Sequence, residues 1–154
     1  TPLKLGELCA GRKGSGDNLI YDGANSWKRQ KWATIPQAAS EWVLIPMSDP
    51  DPSKVSKDKH FRSKNIAAQK KVHEDHYPEY REVKTLEVMT MAVLYDLVNK
   101  ERLLPAYLRC EEPNASGGRV CVGCFNANGL RVHVDLVDDD VDFIGRALAR
   151  KLKT

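Results

Sequence analysis

The stretch that decides the fold is Arg119-Val-Cys-Val-Gly-Cys-Phe125, followed by Asn126-Ala-Asn-Gly129 and by Leu130-Arg-Val-His-Val-Asp-Leu-Val137. Residues that favour strands dominate both arms, and the second arm alternates apolar and polar residues, the period of a half-buried strand. The four residues between the arms contain Asn and Gly, which tolerate the positive φ of a tight turn. The stretch therefore predicts an antiparallel hairpin.

A third strand and a helix complete the predicted core. Residues Ala106 to Glu112 favour a strand, and a loop rich in Gly, Pro and Asn joins them to the hairpin, so we expect a three-stranded antiparallel meander. Upstream, apolar residues repeat at helical spacing and predict a core helix from about Thr85 to Asn99. The repeating residues are Leu86, Met89, Val93 and Leu97. One face of the hairpin should pack against this helix.

The C-terminal segment also shows a helical spacing of apolar residues. Phe143, Ile144, Ala147, Leu148 and Leu152 would share one helix face, with basic residues outside it. The spacing predicts a terminal helix that closes the meander.

The N-terminal part predicts less regular structure. Glycines and turn-forming residues favour loops around a short strand, Leu19 to Asp22, and a second short strand is expected over Trp42 to Ile45. A modestly amphipathic helix is expected after Arg62, ending before Pro78. Together these elements predict a single α+β domain over residues 1–154, with N-terminal loops and short strands added to the meander.

The composition of the chain limits the classes of protein to which it can belong. The chain has 154 residues, 42% of them hydrophobic, enough for a core without disulfides or metals. Its apolar runs are far shorter than the roughly 20 residues that cross a bilayer, so no membrane partner is expected. The first residues lack a secretory signal, and four cysteines make a poor disulfide framework, which indicates a soluble protein in the cytoplasm.

Three cysteines and one histidine form a candidate zinc site. Cys110, Cys121, Cys124 and His133 supply thiolate and imidazole groups, and the spacing of Cys121 and Cys124 is common in zinc sites. In a regular strand, however, those two side chains point to opposite sheet faces unless the strand turns at Gly123. The favoured interpretation is therefore buried thiols, with no metal and no cofactor.

A second candidate site is catalytic. His73 and His76 lie three residues apart on a predicted helix, close in sequence to Arg81. In a small metal-independent ribonuclease or phosphodiesterase the histidines would act as base and acid, and Arg81 would stabilise the negative charge on phosphorus. The competing interpretation is two polar histidines on a half-exposed helix.

The favoured function is a non-enzymatic module that binds nucleic acid. Its expected contacts are Trp27, Lys28, Arg29, Lys31 and Trp32, assisted by Lys57, Lys59, Arg62 and Lys64. Cations interleaved with aromatic rings offer both phosphate contacts and stacking surfaces. The alternatives are that the tryptophans anchor the core between solvated cations, or that the chain is a protein-interaction or homo-oligomeric module. A net charge of +3 does not by itself favour nucleic acid.

Overall fold

A computed structural model describes residues 20, 43–44, 61, 64–104, 106–113, 117–135 and 144–151. Two helices and seven strands lie in these ranges, which confirms the α+β class. In chain order they are β1 (Val43–Leu44), α1 (Ile66–His76), β2 (Arg81–Glu82), α2 (Thr85–Asn99), β3 (Tyr107–Pro113), β4 (Arg119–Asn126), β5 (Gly129–Asp135), β6 (Ile144–Arg146) and β7 (Leu148–Lys151).

The four-stranded sheet has the order β5-β4-β3-β6 and contains the predicted meander. β3, β4 and β5 are consecutive antiparallel neighbours, and the turn between β4 and β5 is closed by the pair Asn126 and Gly129. Gly129 has φ 102, a conformation that L side chains rarely adopt. The Asn-Gly signal in the sequence therefore identified the hairpin correctly.

The helix α2 covers one face of this sheet, as the apolar repeat predicts. It packs on β3, β4 and β5, and its buried side chains Val88, Met89 and Ala92 join a cluster that includes Val122 of β4. At its end Lys100 adopts a left-handed conformation, with φ 59, and its N–H bonds to the Asp96 oxygen.

The predicted terminal helix is wrong, because residues 144–151 form two strands. β6 runs parallel to β3 in the four-stranded sheet, and after Ala147 the chain continues as β7, the central strand of a second sheet ordered β1-β7-β2. The four residues from Arg146 to Ala149 are all buried, whereas an amphipathic helix would expose one side. Pairing with strands distant in sequence therefore prevailed over the local helical spacing.

The two sheets meet at Ala147. The Ala147 N–H donates to the Arg109 oxygen, and the Ala147 oxygen accepts from the Val83 N–H, at 2.9 Å and 3.2 Å. The Val83 oxygen in turn accepts from the N–H of Glu111, also at 2.9 Å. These bonds fix β2 beside β3 and bring the side chains of both sheets together.

The remaining elements agree with the sequence in outline. Helix α1 begins after Asn65, whose side chain accepts from the Ala68 N–H, and it ends before Pro78 as expected. Of the two predicted N-terminal strands, the second is seen in part as β1, and the first is represented only by a bridge between Ile20 and Leu130; the other residues of both lie outside the described ranges. None of the described helices has the length and apolar composition needed to span a bilayer.

Candidate functional site

The sheet face opposite α2 is polar and carries most of the chemistry. Directly paired residues on neighbouring strands share a face, and Leu108, Val122 and Val132, which are paired in this way, pack in the core with α2. The next row of pairs therefore lies on the opposite face. Running from β5 to β6, that row contains His133, Cys121, Arg109 and Arg146.

Tyr107 and His133 form an aromatic pair on this polar face. Their ring centroids lie 5.9 Å apart with an angle of 44° between the planes, although β3 and β5 are separated by β4. The strand between them offers Gly123, which has no side chain to block the approach. A Cβ atom there would lie 2.1 Å from the Ala106 oxygen and 2.6 Å from the Tyr107 Cα. The missing side chain thus permits close strand packing beside the pair.

A bulge in β4 at Cys124 and the pairing of Arg131 with Gly123 place both side chains beside Tyr107. The strand register shifts between Gly123 and Asn126, and Cys124 has a left-handed backbone with φ 49. Burial raises the pKa of Tyr107, and the neighbouring Cys124 raises it further through charge and a hydrogen bond, whereas Arg131 lowers it. Tyr107 therefore lies in contact with a thiol and a guanidinium, while His133 is exposed.

The candidate zinc ligands are divided between the two faces. Cys110 is 2% exposed and packs in the core cluster with α2, whereas Cys121 and His133 are paired on the polar face. Burial raises the pKa of Cys110 well above its ordinary value, and Glu112 adds to this effect. Across the described ranges no three His, Cys, Asp or Glu side chains are grouped as metal ligands.

Two arginines pair with one carboxylate near the junction of the sheets, and a third arginine lies close enough to act on one of them. The Arg146 Nη2 pairs with Glu82 Oε1, and the Arg119 Nη1 lies 3.8 Å from Glu82 Oε2. Burial lowers the pKa of Arg146, Glu82 opposes that effect, and the positive charges of Arg119 and Arg109 add to it. Since Arg109 and Arg146 are both buried, this is an unusual concentration of guanidinium groups.

The candidate catalytic residues are engaged in structural contacts. His73 Nε2 is 2.8 Å from the Tyr80 oxygen, so this nitrogen is the protonated donor and helps hold the chain after α1. Arg81 forms a two-point ion pair with Glu87, at 3.0 Å and 2.7 Å. His76 is exposed and its ring meets that of Tyr77 edge-on. The three residues are thus close in the chain but directed to different partners.

Most of the predicted nucleic-acid contacts lie outside the described residues. These are Trp27, Lys28, Arg29, Lys31, Trp32, Lys57, Lys59 and Arg62. Lys64 is described and half-buried, and its backbone oxygen accepts a hydrogen bond of 2.6 Å from the Arg109 Nη1. The end of the basic segment therefore touches a residue of the polar sheet face.

Sequence reasoning missed the polar face as a site. Its chemistry comes from residues spread over four strands, which form no motif in the sequence: Tyr107, Arg109, Arg119, Arg131 and Arg146. Pairing the three predicted strands would have placed Arg109 beside Cys121, and hence beside His133. The local spacing predicts a helix over the segment of Arg146, so the sequence does not place Arg146 on this face.

Comparison of the chain with protein-family models, curated proteins and solved structures gives no match.

Proposed function

We propose that this protein binds single-stranded nucleic acid on the sheet face opposite α2. The observation that carries the proposal is the pair formed by Tyr107 and His133, whose rings lie side by side with Arg131 next to them. One face of the sheet is covered by α2, and on the other Arg109, Cys121 and Arg146 are buried, so the part open to a ligand is the end of that face with the exposed His133. We expect one or two unpaired bases to stack on the rings.

The chemistry of the three side chains suits this ligand. Aromatic and imidazole rings stack on the flat faces of bases irrespective of sequence, and such stacking needs bases that are not held in a duplex. A guanidinium beside the rings offers a fork of donors to a phosphate of the same strand. The backbone oxygen of Lys64 accepts from Arg109, so the segment in which the sequence concentrates lysine ends at this face.

Fluorescence anisotropy with labelled single strands and a labelled duplex tests the proposal directly. We expect the wild-type protein to bind single-stranded RNA or DNA better than duplex, with an affinity that falls as salt rises by about 0.7 log units per log unit of salt for each phosphate contacted. His133→Ala should weaken binding roughly 5- to 100-fold, the usual effect of losing one stacking partner. Because His133 is exposed, its removal should leave folding intact.

His76→Ala is the matched control, since it removes an exposed histidine from α1. Arg131→Gln should lower the salt dependence by about one phosphate contact, whereas the exposed Arg150 can be changed to Gln without this effect. Equal affinity for duplex and single strand would contradict the proposal. Equal losses of affinity for the single strand in His133→Ala and His76→Ala would contradict it as well. Cleavage of the probe that disappears in His76→Ala would instead indicate the ribonuclease alternative.

A further inference from the structure

Glu82 is shared by two guanidinium groups. Arg119 lies 3.8 Å from Glu82 Oε2, and Arg146 binds the other oxygen, Oε1. Arg119 also donates to the Glu111 backbone oxygen, a neutral acceptor. Among the described side chains, these two positive charges thus share the Glu82 carboxylate where the two sheets meet.

One donor of this group has no acceptor. The Nε–H of Arg146 is buried and without a hydrogen-bond partner among the described residues, although the Arg146 side chain is only 4% exposed. A buried donor of a charged group is costly to leave unsatisfied. Arg109, also buried, adds a further positive charge close enough to act on Arg146. The position therefore favours an additional anion.

We propose that Arg119 and Arg146 form a binding site for a phosphate-type oxyanion beside Glu82. Guanidinium forks match the spacing of phosphate oxygens and bind them through paired, charge-assisted hydrogen bonds. The side chains of Arg119 and Glu82 are 24% and 22% exposed, so the site opens to solvent on their side. An oxyanion that enters from this side replaces the Glu82 carboxylate in some of its contacts with the two arginines. It thereby reaches Arg146, which lies deeper.

This site lies on the same sheet face as the rings, but it uses other residues and needs no base stacking. Its residues belong to β2, β4 and β6, whereas Tyr107, Arg131 and His133 belong to β3 and β5. Free phosphate and a phosphate monoester both present the oxygens that this site would bind. A protein that fails to bind nucleic acid can still bind phosphate here, and the reverse also holds.

Isothermal titration calorimetry with inorganic phosphate tests the site, at constant ionic strength and with sodium chloride as the reference. We expect saturable binding at one site per chain by the wild type. Arg119→Gln should weaken it at least about 10-fold, the effect of losing a charge-assisted bond. Glu82→Gln should tighten it several-fold, because the competing carboxylate is gone. A nucleoside monophosphate and its unphosphorylated nucleoside distinguish a monoester ligand from free phosphate.

Arg150→Gln is the matched control, because it removes one exposed arginine from a neighbouring strand of the second sheet. Arg119→Lys keeps the positive charge but loses the two-pronged guanidinium. Its affinity for phosphate should therefore lie between those of the wild type and Arg119→Gln. Thermal unfolding of each variant without phosphate verifies that it folds. The absence of saturable phosphate binding by the wild type would overturn the proposal. Equal losses of phosphate affinity in Arg119→Gln and Arg150→Gln would overturn it too, as would weaker phosphate binding by a folded Glu82→Gln.

Discussion

The side-chain Nε2 of Gln69 on α1 donates a hydrogen bond of 3.1 Å to the backbone oxygen of Ile144 at the start of β6. The same nitrogen donates to the Phe61 oxygen at 2.5 Å, so one amide joins α1 both to the chain just before it and to a strand 75 residues away. Gln69 is fully buried. Its side chain therefore fixes α1 against the edge strand of the four-stranded sheet.

Replacing Gln69 by Leu should destabilise the protein by about 2 to 4 kcal/mol, because two buried carbonyl oxygens would each lose a donor. Urea unfolding followed by circular dichroism measures this difference. Lys70→Leu is the control in the same helix, since Lys70 is exposed and its ion pair with Glu74, at 3.7 Å and more than half exposed, contributes little. Equal losses in the two variants would show that the amide does not join the segments.

The elements that local sequence determines were predictable. The Asn-Gly turn and the strand residues around it specify the hairpin, and the repeat from Leu86 to Leu97 specifies α2. In both cases the interacting residues lie close in sequence. The apolar pattern then requires that sheet and helix pack together, so the α+β class follows.

The C-terminal strands and the polar site depended on distant pairing. Residues 144–151 have a helical spacing of apolar side chains, but β3, β1 and β2 supply the backbone partners that make them strands. Gly145, a poor helix former, was the local sign against a helix. Tyr107, His133 and Arg146 share a face only because of this pairing, which explains why no short motif indicated them.

Replacing Gly123 by Ala should cost about 3 kcal/mol or more of folding stability. The new Cβ would meet backbone atoms of Ala106 and Tyr107, which cannot move without separating β3 from β4. Thermal unfolding compares this variant with Gly145→Ala, whose Cβ would meet the flexible end of the Leu108 side chain at 3.1 Å. We expect Gly145→Ala to lose clearly less stability than Gly123→Ala. The opposite order would contradict the close approach of the strands at Gly123.

The ion pair of Glu87 with Arg81 should make stability depend on pH in the acid range. Burial alone would raise the pKa of Glu87, but hydrogen bonds from Arg81 and from the Lys84 N–H outweigh it and hold the pKa below the ordinary 4.5. Ionised Glu87 therefore stabilises the fold above pH 4.5, and this contribution is lost as pH falls through the lower, folded-state pKa.

Glu87→Gln should accordingly lower the free energy of unfolding at neutral pH by about 0.5 to 1 kcal/mol, a modest value because both partners are partly exposed. The difference from wild type should shrink toward zero as the pH is lowered. Urea unfolding at a series of pH values measures it, with the exposed Glu79→Gln as control. A difference that stays constant down to the most acid pH would contradict the depressed pKa.

The thiol of Cys110 should resist alkylation in the native protein. Burial is the main reason that its pKa is raised, so the reactive thiolate does not form at pH 8, and the side chain is 2% exposed. Iodoacetamide should therefore modify Cys110 at least about 100-fold more slowly than the half-buried Cys124, and raising the pH to 9 should not remove the difference.

Trypsin cleavage after Arg109 and Arg119 places Cys110 on its own peptide, so mass spectrometry can follow it separately. In concentrated urea the two cysteines should react at similar rates, which serves as the control. Similar rates in the native state would mean that α2 opens from the sheet far more often than the packing at this position indicates.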